Sequence, residues 1–198
     1  MNYKQTIKIA MLAATATAFI TACSKDDEVK TLSDSSAVVK EVSLTPTTDS
    51  IFYNINTNLV DTKANSLFSF AGKFYNLDIT PTDSANYTFG YFTSSLTDVD
   101  DITVSVLDTA QINHAKTLTL RMLNFAAYTN VENTWYDYNF TTHTLSPQEG
   151  RYAILYKVPN KGSYTNTTDV AYVLQLSSIT QSGRTVSGFT VKSISFTK

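Results

Sequence analysis

The one cysteine of the chain, Cys23, stands directly after Ile20-Thr21-Ala22. Small residues before a cysteine form the lipobox read by the lipoprotein signal peptidase, and processing there leaves a diacylated thioether at the new N-terminus. What precedes the cysteine agrees. The segment MNYKQTIK carries Lys4 and Lys8 and no acid. The apolar run from Ile9 to Ile20 is far shorter than the ~20 residues a transmembrane helix needs, and it suits a signal-peptide core. We therefore expect residues 1–22 to be a lipoprotein signal peptide and Cys23 to tie the mature chain to a membrane through its lipid. With that thiol consumed, no cysteine is left for a disulfide, a thiolate metal site or a nucleophile.

Other chemistry-bearing residues are sparse. The chain has no GxSxG, no HExxH and no glycine-rich phosphate loop. Its two histidines, His114 and His143, are not spaced as a metal pair on a helix or a strand. Asp100 and Asp101 are adjacent, so on a strand they point to opposite faces. No enzyme is expected. What remains is aromatic. In TWYDYNF a regular strand would place Trp135 on one face and Tyr136, Tyr138 and Phe140 on the other. The second set then reads as core with Trp135 as an outer cover, or the group offers ring surface for stacking on a flat ligand, a porphyrin or a sugar. Three triplets, Asp49-Ser50-Ile51, Asp83-Ser84-Ala85 and Asp108-Thr109-Ala110, resemble an O-glycosylation sequon of exported bacterial proteins.

The elements that must position these residues read as strands. Tyr and Phe number 12 and 11, charged residues make up 16%, and Thr and Asn are plentiful, a usage that fits half-buried pleated surfaces. Period-two alternation recurs in SIFYNINTNLV, NYTFGYF, DITVSVLD, KTLTLRMLNF and RYAILYKV, then around Tyr172, Leu174 and Leu176, and around Phe189 and Val191. LFSFAGKFYNLDI changes phase at Ala71-Gly72, which predicts a bulge or tight turn. Breaks are expected at 80–84, 97–98, Ser146-Pro147, 159–162 and 181–183, with short helices at 98–102 and 109–115. The predicted fold is all-β, an antiparallel sandwich or barrel-like domain with long hairpins, over residues 41–198. Residues 23–40, rich in Ser, Asp and Lys, read as the lipidated cysteine and a flexible tether.

Charge limits the partners. Loss of Lys4 and Lys8 with the leader takes the formal charge from −2 to −4, and no basic block stands out, which argues against nucleic acid. Ser24-Lys25-Asp26-Asp27-Glu28 after the cysteine resembles the surface-export signal of some Gram-negative lipoproteins. The expected address is the outer membrane, exposed at the cell surface.

TWYDYNFTTHTLSP, RYAILYKVPNKGSY and AYVLQLSSI together resemble the C-terminal part of the HmuY-like family, all-β haem-binding lipoproteins of the outer membrane. The matching positions are Trp135, Tyr136, Tyr138, Thr142, His143, Gly162 and Tyr172, within residues 134–198. Two departures stand out. Asn76-Leu77-Asp78 takes the place of the family's Trp-Asp pair, and the stretch from Gly162 to Tyr172 is long. The resemblance implies capture of haem or a related porphyrin and its delivery to a TonB-dependent outer-membrane receptor. It also implies axial iron ligands, for which the mature chain offers His143, His114 and Met122, with tyrosinate as a further candidate, while Trp135, Tyr136 and Tyr138 are the rings already named for stacking on a flat ligand. The rival readings are a glycan-binding surface lipoprotein with Trp135 as its sugar platform, and a structural or adhesive module without a small ligand.

Overall fold

A computed structural model of the chain describes residues 29–46, 49–71, 77–125, 131–158 and 162–198. The leader, Cys23 and Gly72 lie outside the described residues. Residues Thr31–Lys198 form one compact unit. The chain is all-β, with antiparallel sheets packed as a sandwich.

Among the described residues, thirteen strands make three sheets. The largest has six strands in the order β1 (Val38–Leu44), β13 (Thr185–Thr197), β12 (Val170–Ser182), β11 (Arg151–Tyr156), β6 (Thr88–Thr93) and β7 (Asn113–His114). A four-stranded sheet runs β3 (Leu59–Val60), β2 (Ile51–Asn54), β4 (Phe68–Phe70) and β5 (Ile79–Pro81). A three-stranded sheet runs β10 (Thr144–Pro147), β9 (Thr134–Asn139) and β8 (Thr119–Leu123). The expected long hairpin is β12–β13, closed by Gly183-Arg184 between the paired Ser182 and Thr185, with Gly183 at φ 63°. Among the described residues every ladder is antiparallel except β8–β9, which is parallel and departs from the purely antiparallel expectation.

Simple alternation on one buried face does not describe the six-stranded sheet, because both of its faces are buried. In β11, Ala153 and Leu155 join a core shared with Phe68, Phe70 and Trp135 of the smaller sheets. Tyr152, Ile154 and Tyr156 point the other way, into a second core with Phe92, Val173 and Phe196. That second core is closed by Leu32, Val99, Ile102, Val104 and Leu107. A strand buried on both faces reads as a nearly continuous apolar run, as RYAILY does.

The cover over the second core corrects two expectations. The tether was expected to reach residue 40, yet Leu32 is buried and its N–H donates to Asn166 O at 2.7 Å. Strand β1 pairs in unbroken register with β13, from Val38↔Ser195 to Leu44↔Phe189. The Ser and Asp residues that looked like linker form a 3-10 turn, Asp34–Ser36, capped by the Ser33 side chain. The segment DITVSVLD was read as a strand but forms the helix α1, Val104–Thr109. Its first N–H, Val104, donates to Asp34 Oδ1 at 2.7 Å, and Val106 N–H donates to the Thr103 hydroxyl at 3.3 Å. Val104 and Leu107, three apart, are its buried pair, so a helical period hid within a short alternating run. The helix expected at 109–115 is absent: α1 ends at Thr109, and Asn113–His114 pair with β6. The turn at Val99–Asp101 is helical as anticipated, though 3-10. Ser146-Pro147 is no break; it ends β10, an outer strand, where proline's missing N–H is tolerated.

Gly150 turns the chain into β11 at φ 62°, and a Cβ there would lie 2.1 Å from Ser94 O. Both conditions oppose any other residue. Gly150→Ala should lower stability by at least ~2 kcal/mol, read as a shift of the chemical-denaturation midpoint with the slope unchanged.

Candidate functional site

The aromatic strand β9 carries a register shift that reorganises its faces. Thr119 pairs with Thr134, but the next residue, Leu120, pairs with Tyr136, so Trp135 is an extra residue opposite β8. A bulge of this kind breaks the alternation and turns neighbouring side chains to one side. Trp135 and Tyr136 both join the core, 1% and 2% exposed. The Trp135 ring stacks on Phe70, centroids 6.0 Å apart at 10°, and its Nε1–H donates to Leu77 O at 2.8 Å. The Tyr136 hydroxyl donates to Asp78 Oδ1 at 2.9 Å. Tyr138 is 6% exposed. This corrects the expected outer position of Trp135. Its faces are spent on core packing, and a ligand at the surface cannot stack on it.

The bulge also brings Thr134 and Asp137 to a common partner. Gln148 Nε2 donates to Thr134 Oγ1 at 2.9 Å and to Asp137 Oδ1 at 2.7 Å. Arg121 grips the same carboxylate with two bonds, Nε to Oδ1 at 2.8 Å and Nη2 to Oδ2 at 2.7 Å. Forked pairing of this geometry ties β8 to β9 and satisfies a buried acid.

Of the three candidate iron ligands, two are neighbours and one stands apart. His143 sits in the β9–β10 turn at φ 57°, half-buried between exposed threonines. Its Nδ1 lies 2.6 Å from the Tyr138 hydroxyl, and Arg184 Nη2 donates to its Nε2 at 3.1 Å. Because a guanidinium only donates, Nε2 is the acceptor, and in the neutral ring the proton resides on Nδ1 facing Tyr138. Both nitrogens are therefore engaged, one of them beside a cation. Met122 is half-buried on β8 and pairs with Tyr138 across the ladder.

His114 lies on the outer strand β7, opposite Gly90. A Cβ at Gly90 would come within 2.4 Å of Asn113 O, so only glycine lets β7 approach β6 this closely. His114 is exposed, and its Nε2 is 2.9 Å from the hydroxyl of the fully buried Tyr156. Its Nδ1 has no partner among the described residues. The histidine lines a cleft of about 510 Å³ together with Pro81, Tyr87, Thr88, Phe89 and Lys116. Thr88 is 8% exposed, and its hydroxyl has no hydrogen-bond partner among the described residues. A second cleft of about 530 Å³ lies beside Asn56, Asn65, Ser66, Asp83 and Tyr87, and a smaller one of about 230 Å³ beside Tyr156 and Tyr164. Neither His143 nor Met122 lines any of them, and no group touching His114 touches His143. Among the described residues no three His, Cys, Asp or Glu converge as a metal site. The clefts draw on segments far apart in sequence, and Tyr87, which lines two of them, carried no signal beyond its place in an alternating strand. The serines and threonine of the Asp-Ser/Thr triplets, Ser50, Ser84 and Thr109, are all exposed.

Asp78 is the charged group most at odds with its surroundings. Burial raises its carboxyl above the usual range, against the opposing effect of the Tyr136 hydrogen bond. A carboxyl raised on folding penalises the folded state once ionised, so its cost is absent in acid and complete above the raised value. Asp78→Asn keeps the acceptor for Tyr136 and removes the charge. Its melting temperature should exceed the parent's at neutral pH, and the two should converge below the ordinary carboxylate range. Trp135→Ala should cost about 3–5 kcal/mol in chemical denaturation, the scale for emptying a large aromatic site from a core.

No protein-family model matches the chain, and no curated protein matches it at a significant level.

Proposed function

We propose that this chain is a lipid-anchored lipoprotein of the outer-membrane surface that captures haem or a related porphyrin, with the cleft beside His114 as its site and a TonB-dependent receptor as the acceptor. The leader and lipobox support the anchor, and the resemblance of residues 134–198 supports the ligand class. The observation that carries the reading is the state of His114. One ring nitrogen is held by Tyr156, the other has no partner among the described residues, and the ring borders a cleft of about 510 Å³. An imidazole whose second nitrogen is fixed by a neighbour is the usual arrangement of a metal-ligating histidine. A cleft of this volume falls in the range of small-molecule sites. Were haem bound, the imidazole of His114 would be the group to hold its iron. Tyr87 and Phe89 offer ring contacts, and Lys116 offers a cation for a carboxylate. His143 is the weaker candidate because Arg184 occupies its Nε2.

The role in this reading is one of binding. The sugar platform on Trp135 is withdrawn with that residue's burial.

Haemin titrated into the purified chain should give a saturable, sharp Soret band with resolved α and β bands on reduction. His114→Ala should abolish or shift that band, and His143→Ala should leave it. A broad spectrum without saturation would overturn the haem reading. A sharp spectrum that survives His114→Ala would overturn the choice of cleft.

A further inference from the structure

The second cleft has chemistry of a different kind. It lies between the turn Lys63–Asn65 with the adjoining Ser66 and the connection from Thr82 to Tyr87, encloses about 530 Å³, and has no histidine or methionine in its lining. Ser66 is 4% exposed, and its hydroxyl has no hydrogen-bond partner among the described residues, while its carbonyl accepts from the Thr82 hydroxyl. That oxygen is itself buried, so the polar groups open to a ligand in the cleft lie on its neighbours. Two carboxamides flank it with complementary halves in reserve. Asn56 Oδ1 accepts from Tyr172 at 3.4 Å, which leaves its amide donors. Asn65 Nδ2 donates to Asp61 Oδ1 at 3.2 Å, which leaves its carbonyl. Tyr87 adds a half-buried ring, tilted against Tyr172 with centroids 6.4 Å apart. Lys63 and Asp83 balance in charge.

Amide donors and acceptors meet adjacent ring hydroxyls, an aromatic ring meets the C–H face of a pyranose, and balanced charge favours an uncharged ligand. We propose that this cleft is a subsite for a neutral glycan, with Tyr87 as the platform and Asn56 and Asn65 as the hydroxyl partners. The proposal does not rest on the haem reading. It places the sugar-binding surface on the β5–β6 connection and away from β9.

The test is an array of neutral gluco-, galacto-, manno- and xylo-oligosaccharides probed with the full chain in detergent, then calorimetry with the best-bound oligosaccharide. Asn65 is exposed, so Asn65→Ala leaves the core intact. That variant and Tyr87→Ala should each weaken binding about tenfold, the scale of one lost polar or stacking contact. Tyr87→Phe should keep the ring contact and bind nearly as the parent does. His114→Ala should bind sugar normally, so a failed haem titration leaves this result standing. An array without signal, or binding that Asn65→Ala and Tyr87→Ala both leave unchanged, would overturn the proposal.

Discussion

The six-stranded sheet must be covered on both faces, and the rest of the molecule is arranged by that requirement. Its inner strands β6, β11, β12 and β13 place large apolar side chains on either side, with Leu155 and Leu174 in one core and Tyr152, Ile154 and Val173 in the other. Exposing either face would forfeit roughly 25 cal/mol for each Å² of apolar surface left in water. Two small sheets cover one face. The other is covered by the N-terminal segment with Leu32, the Val99–Asp101 turn and α1. This explains why a polar, linker-like stretch is part of the fold. Asp34 holds the first turn of α1, and Ser36 bonds Thr197 at the end of β13.

The small sheets are joined to each other through β9. The bulge at Trp135 sends that ring and the Tyr136 hydroxyl to adjacent residues, Leu77 and Asp78, at the entrance to β5. The ladder continues through the bridge of Ile79 to Leu118 just before β8. The same bulge frees the outer side of β9 for the Arg121–Asp137–Gln148–Thr134 network. Residues that offered the most ring surface for a ligand thus serve as the joint between two sheets. The ligand-sized spaces open at the seams, where the β5–β6 and β7–β8 connections leave the large sheet.

Much of the architecture was legible in local pattern. SIFYN, NYTFGYF, RYAILY and the last two strands were read as strands and are strands, and the turn at Gly183 closes the hairpin that was expected. The errors share one cause. In TVSVLD, alternation over a few residues fitted a strand, while the Thr103 side chain capped a helix and Asp34, far earlier in the chain, held its first N–H. In TWYDYNF, period two assigned opposite faces to Trp135 and Tyr136, and a single extra residue opposite β8 put them together.

The candidate site was less legible than the fold. His114, His143 and Met122 could be named from residue type alone, but their standing depended on partners contributed by other strands. Arg184 on the far hairpin occupies His143, Tyr156 on β11 orients His114, and Met122 stands opposite Tyr138 in the parallel ladder. The sequence alone determined the all-β class and the absence of a local catalytic motif, because composition and period-two alternation act within a strand. The tertiary structure decided which aromatics are core, which histidine keeps a nitrogen open and where the clefts lie, because those depend on strand register and on contacts between distant segments.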